Sequence, residues 1–155
     1  MSGSDEHGGE IVVRAVGFEK MPELVAMNRI LFDEERIINR FDRPDLVMLI
    51  AYAGDRPAGF KVGYGLDFGV YYSAKGGVLE PFRQRGIATM LLSRLMGEAL
   101  SRGYRTYCFD TFPNKHTGMT VLALRHGFSV QQVRFSDVYG DLRVRFSTDL
   151  MHEQE

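Results

Sequence analysis

Cysteine is almost missing from this 155-residue sequence: Cys108 stands alone, so no disulfide can form within the chain. An excess of either charge is missing too. Nineteen Lys and Arg face 20 Asp and Glu, and the formal net charge of -1 gives no sign of a nucleic-acid partner. No apolar run approaches the length that spans a bilayer, and no cationic stretch followed by an apolar run opens the sequence. The cytoplasm is therefore the expected compartment, with no membrane partner. Neither an internal repeat nor a low-complexity segment is present.

What is there suits one ordinary domain. Hydrophobic residues make up 45% and charged residues 25%, enough apolar material for a core that needs neither disulfide nor metal as a staple. Residues 1–10, rich in Gly, Ser and acids, are expected to be a disordered tail, and residues 11–150 a single domain. Ile11 to Val16 reads as a first strand. Leu24, Met27, Ile30 and Leu31 recur at helical spacing within Glu23 to Ile38. Leu46 to Tyr52 and Ala58 to Tyr64 read as a hairpin about Gly54-Asp55, followed by a strand from Phe68 to Leu79. A helix is expected from Gln84 to Ser101, with Ile87, Leu91, Leu95 and Ala99 on one stripe and Gly103 closing it. Strand Arg105 to Thr111, helix His116 to His126, and strands Phe128 to Phe135 and Leu142 to Thr148 complete the chain. The order predicts an α/β fold, a mixed sheet with helices on both faces.

The informative segment is Gly76-Gly77-Val78-Leu79-Glu80-Pro81-Phe82-Arg83-Gln84-Arg85-Gly86-Ile87-Ala88-Thr89, which leaves a strand and enters a helix. Amides that open a helix lack intrahelical partners, and the helix dipole favours negative charge there. Gly86 lets a bulky anion approach the main chain, and Arg83 and Arg85 add positive charge. Together they read as a pyrophosphate cradle. The Gly-x-Gly-x-x-Gly of a dinucleotide fold and the Gly-Lys-Ser/Thr of a phosphate-binding loop are both missing. A solvated arginine pair before a core helix is the plainer alternative.

Arg83-Gln84-Arg85-Gly86-Ile87-Ala88 resembles the Arg/Gln-x-x-Gly-x-Gly/Ala signature of the GNAT N-acetyltransferase superfamily, with Val78 at the expected distance and Pro81 one position late. Thr111-Phe112-Pro113-Asn114 and Leu124-Arg125-His126-Gly127-Phe128 are similar to that family's Asn and Gly-Phe elements. The resemblance covers roughly residues 46–135. It implies a mostly antiparallel sheet of six to seven strands whose central splay holds the pantetheine arm of acetyl-CoA. By that resemblance Val78 and Leu79 would pair with the arm and Asn114 would contact it. The amides of Arg83, Arg85, Gly86, Ile87, Ala88 and Thr89 would grip the diphosphate, and a main-chain amide of the Gly77–Val78 strand would polarise the thioester carbonyl. The expected reaction moves acetyl directly to an unidentified amine, without a metal.

Many members of the family carry a tyrosine, the acid for the leaving sulfur, where this sequence has Ala123. Tyr72 and Tyr139 are the substitutes to weigh, and Asp110 is a candidate base. Glu34 and Glu35 would attract a cationic amine, although a solvated acidic face explains them as well. His126 reads as a helix C-terminal dipole partner and Cys108 as core. Because of Ala123, a non-catalytic acyl-CoA sensor stays open as the alternative to an enzyme. A homodimer through exposed C-terminal strands is possible on the same reading.

Overall fold

Strand β2 (Val47–Ala53) is buried at every position and β3 (Arg56–Gly65) along most of its length. Continuous burial of this kind needs cover on both faces of a sheet. The cover comes from α1 (Met21–Phe32) on one face and α2 (Ile87–Ser101) on the other. Alternation along β2 divides the core accordingly. Val47, Leu49 and Ala51 join Leu91, Leu92 and Leu95 of α2, whereas Met48, Ile50 and Tyr52 join Leu24 and Met27 of α1. A computed structural model describes residues 9–151 in this way.

The remaining elements are β1 (Ile11–Val16), β4 (Val70–Val78), β5 (Thr106–Thr111), α3 (Thr117–Arg125), β6 (Ser129–Ser136) and β7 (Asp141–Asp149), with short 3-10 turns at Phe18–Lys20 and Glu80–Phe82. The seven strands lie in the order β1-β2-β3-β4-β5-β7-β6. All neighbours are antiparallel apart from β4 and β5, which run parallel. This is the mixed sheet that the element order predicts, with the mostly antiparallel pairing that the resemblance implies. Among the described residues no helix is long and apolar enough to cross a membrane.

Two helix boundaries differ from expectation. The first helix stops at Phe32 rather than Ile38, because Asp33 turns left-handed (φ 57°) and its N–H closes on the Arg29 carbonyl. The buried Asn28 amide then donates to the carbonyls of Glu34 (2.7 Å) and Arg36 (3.3 Å), which holds the following chain as a loop. No second helix forms between α1 and β2. The helix expected from Gln84 starts at Ile87, since Gln84 (φ 63°) and Gly86 (φ 80°) are both left-handed. Of the expected disordered tail, residues 1–8 lie outside the described residues.

One irregularity positions the site. β4 and β5 pair only from Val70↔Thr106 to Ser73↔Phe109, although β4 runs on to Val78. Immediately after Ser73 the β3–β4 register slips, leaving Ala74 without an opposite residue. Such a bulge bends the strand and raises its twist. The two central strands therefore fork.

Candidate active site

The cradle begins where β4 ends. Leu79 donates its N–H to the Ala58 carbonyl (2.8 Å), which anchors the turn to β3. The Arg83 guanidinium folds back, its Nε donating to the Val78 carbonyl (2.9 Å). Gly86 then delivers the chain into α2, where the first α-helical bond runs from the Met90 N–H to the Gly86 carbonyl (3.0 Å). The amides of Ile87, Ala88 and Thr89 are left without intrahelical acceptors. A Cβ added at Gly86 would meet nothing within 4 Å. The backbone is thus open to a ligand at the point where the left-handed φ requires glycine.

A cleft of about 190 Å³ lies over these amides, lined by Val78, Arg83, Gly86, Ile87, Ala88 and Thr89, with Phe82 and Gln84. A larger one of about 530 Å³ adjoins it through Phe82 and is lined by Leu79, Glu80, Pro81, Arg56 and Ile30 among others. Of the residues expected to hold a cofactor, Arg85 and Asn114 line neither cleft. Asn114, exposed, donates its amide to Asp141 at the start of β7 (2.9 Å). The open left-handed glycine, the three free amides and the fork fit a diphosphate with a linear arm. Ile87 to Thr89 would hold the former and the edge of β4 the latter.

Tyr72 and Asp110 come together at the closed end of the fork, on the face away from α2. The Tyr72 hydroxyl donates to Asp110 Oδ2 (3.0 Å), which also accepts from Arg143 Nη2 (2.8 Å) and Arg145 Nη2 (3.0 Å), while Arg145 Nε reaches Oδ1 (2.7 Å). Burial alone would push the Asp110 carboxyl up. The hydrogen bonds and charge of Arg145, with Arg143 behind them, outweigh it and hold the group below the usual carboxylate range. Burial, followed by the Asp110 charge and hydrogen bond, pushes Tyr72 up to about 12. Asp110 is a held anion and Tyr72 a held phenol.

Tyr139 lies elsewhere, in the turn between β6 and β7, half exposed and edge-on to Phe112 with ring centroids 5.2 Å apart. Glu34 is paired with Lys75 of β4, and Glu35 with Arg29 (2.7 Å). Neither carboxylate stands without a cation beside it. Cys108 is buried, and burial pushes its thiol up to about 11, so it is no nucleophile at neutral pH. Ala123 is fully buried in the core between α3 and the sheet. Among the described residues no group of His, Cys, Asp or Glu could hold a metal ion.

Sequence reasoning missed Lys61. It sits mid-β3 within Phe60-Lys61-Val62, is 6% exposed, and donates to Ser73 Oγ (3.3 Å). Burial lowers its pKa to about 8. The signal available was a lone charge between 57 and 65 in an otherwise apolar and glycine-rich strand.

Residues 34–115 match the family model described as an acetyltransferase (GNAT) domain. No curated protein matches the sequence. Solved structures do match in shape. The ribosomal-protein-S18-alanine N-acetyltransferase from Escherichia coli aligns over 94% of this chain and 99% of its own, at TM-score 0.78 and 12% identity. An IAA acetyltransferase from Bacillus cereus aligns over 91% and 100%, at TM-score 0.79 and 17% identity. Arabidopsis thaliana NAA60, solved in complex with acetyl-CoA, aligns over 91% and 99%, at TM-score 0.71 and 15% identity. At such identities the likeness is one of fold.

Proposed function

Because the chain belongs to the GNAT acetyltransferase family, we propose that it moves an acetyl group from acetyl-CoA directly to an amine. The observation that carries this reading is the left-handed Gly86 (φ 80°), which presents the Ile87–Thr89 amides to an open cleft beside the fork. Acetyl-CoA, when bound, supplies an acyl group on a thiol that can leave. The protein's own contributions follow from its geometry. The α2 amides, with the dipole behind them, hold the diphosphate. The β4 segment beyond Ser73, unpaired toward β5, offers main-chain groups to the arm and to the thioester oxygen.

The acceptor approaches from the other face, over Tyr72 and Asp110. Asp110 offsets one of its two arginines, and Arg143 is the more exposed of the pair, with side-chain exposures of 42% and 31%. Arg43 adds a third cation, stacked over the Tyr64 ring at 4.6 Å. An acceptor carrying an anionic group beside its amine suits this surface better than a purely cationic one. Val130, Val133 and Phe135 are exposed on the outer strand β6, where a second copy would pair. A cytoplasmic location and a single domain over 11–150 belong to the same proposal.

Incubation with acetyl-CoA and a panel of amines, with release of free thiol as readout, tests the reading. Turnover on any amine supports it. Tight binding with no turnover across the panel supports the sensor alternative, and no calorimetric heat with coenzyme A at millimolar concentration overturns both.

A further inference from the structure

A lysine in the middle of a sheet requires a reason. Lys61 has Gly59 and Gly63 two residues to either side and Gly76 opposite it on β4. A Cβ at Gly76 would stand 3.2 Å from Lys61 Cγ, so the missing side chain makes room for the lysine stem. An ammonium has three donors, yet Ser73 Oγ is the hydrogen-bond partner that Nζ has among the described residues. The Tyr107 hydroxyl of β5, fully buried, faces the same serine without reaching hydrogen-bond geometry and has no other partner. Tyr71 and Tyr104 are further titratable groups on this face: the Tyr71 hydroxyl donates to the Asp45 carbonyl (2.9 Å) and the Tyr104 hydroxyl to the Asp45 carboxylate. β2 contributes Leu49 opposite Lys61, and α2 packs Leu91 and Leu95 over the flanking glycines. Among the described residues no carboxylate pairs with Nζ. Burying a cation this way is expensive, and two buried donors gathered about one serine leave a shortage of acceptors that a ligand's acceptor atom would fill.

The place is the closed end of the fork. Ser73 belongs to the last pair between β4 and β5, and the face is that of α2, where the cradle opens. We propose that Lys61, held by Ser73, is the proton donor to the sulfur of the acyl donor, in the role that Ala123 leaves vacant. The inference rests on the acyl-transfer reading above. As the bond from the acceptor nitrogen to the acyl carbon forms, the carbon–sulfur bond breaks with its electron pair on sulfur. Lys61 Nζ gives that sulfur a proton and regains one from water, and the acceptor nitrogen loses its own proton to solvent. A donor near 8 is matched to a thiol of about 8.5, which makes the transfer close to thermoneutral.

The first test needs only the wild-type protein. With isotopically labelled lysine, the Lys61 titration is followed by NMR in the free protein, with coenzyme A, and with desulfo-coenzyme A. Coenzyme A should raise the midpoint by roughly one to two units, because a thiolate beside the ammonium favours its charged form. The desulfo compound should bind and leave the midpoint near its free value. Binding of coenzyme A with no movement of the Lys61 midpoint, or equal movement with both ligands, overturns the proposal alone. Failure of coenzyme A itself to bind overturns it together with the acyl-transfer reading. Lys61→Met should lower kcat by roughly a hundredfold or more, with little change in KM for acetyl-CoA. It should also remove the alkaline fall in kcat that deprotonation of the donor causes. Wild-type kcat in this variant would count against the role, and the NMR titration decides if the variant does not fold.

Discussion

The Tyr72 hydroxyl lies 3.0 Å from Asp110 Oδ2, joining β4 to β5 across the end of their shared register. The bond closes the face opposite Lys61, so the fork is flanked by a held anion on one side and a buried cation on the other. Asp110 keeps its charge because two guanidinium groups share it. Asp110→Asn should cost about 2 kcal/mol, the size of hydrogen bonds to a charged group, less what the exposed arginines recover from water. The pH dependence has a definite sign. A carboxyl depressed in the folded state contributes fully above its unfolded value of about 3.9 and loses that contribution as pH falls through the lower folded value. Denaturation midpoints of the wild type should drop across that acid window, and those of the Asn variant should change less. Parallel curves would show that the arginines do not hold the charge.

Gly86 and Gly97 make a matched pair on one helix. A Cβ meets nothing within 4 Å at either, but Gly86 has φ 80° and Gly97 lies inside α2. Gly97→Ala should stabilise by about 0.5–1 kcal/mol and leave coenzyme A affinity alone. Gly86→Ala should cost about 1–2 kcal/mol of backbone strain and weaken binding, and Gly86→Glu should abolish binding by placing charge and bulk over the amides. Calorimetry on the three variants separates strain from occlusion. Unchanged affinity in Gly86→Glu would remove this turn from the cradle.

Much of this was legible locally. The hairpin about Gly54-Asp55, the stripe of α2 and the Gly86 turn are each written within about a dozen residues, because the forces that set them act along the chain. The rest depends on contacts across it. The chain after Phe32 stays a loop because the left-handed Asp33 ends α1 and the Asn28 amide finds the Glu34 and Arg36 carbonyls, a partnership that no periodicity reveals. Which tyrosine reaches Asp110 depends on the pairing of β4 with β5, and that pairing stops at Ser73 beside the unpaired Ala74. Lys61 reads as a surface charge until β2, β4 and α2 enclose it.

The glycines of β4 make different demands. A Cβ at Gly76 would lie 2.7 Å from the Phe60 carbonyl oxygen, a main-chain atom held in the β3 ladder. A Cβ at Gly77 would lie 2.8 Å from Leu31 Cδ1, the far end of a flexible side chain. Gly76→Ala should therefore destabilise by about 2 kcal/mol and Gly77→Ala by less than about 1 kcal/mol, measured by chemical denaturation. Equal costs would mean that β4 can move away from β3.

Arg143 offers a test of which face the acceptor uses. Arg145 spends two nitrogens on Asp110, whereas Arg143 spends one and is the more exposed. If an anionic group of the acceptor seats there, Arg143→Ala removes a charge-assisted hydrogen bond worth about 1.5–3 kcal/mol. That corresponds to a rise in KM of roughly tenfold to a hundredfold for amines that carry a carboxylate or phosphate. Amines without an anionic group have no such contact to lose and should change little. Added salt should reproduce the trend in the wild type, since the guanidinium is partly solvated. KM values that rise equally for both kinds of amine would place the acceptor's anion elsewhere, and with it the approach over Tyr72 and Asp110 would fall.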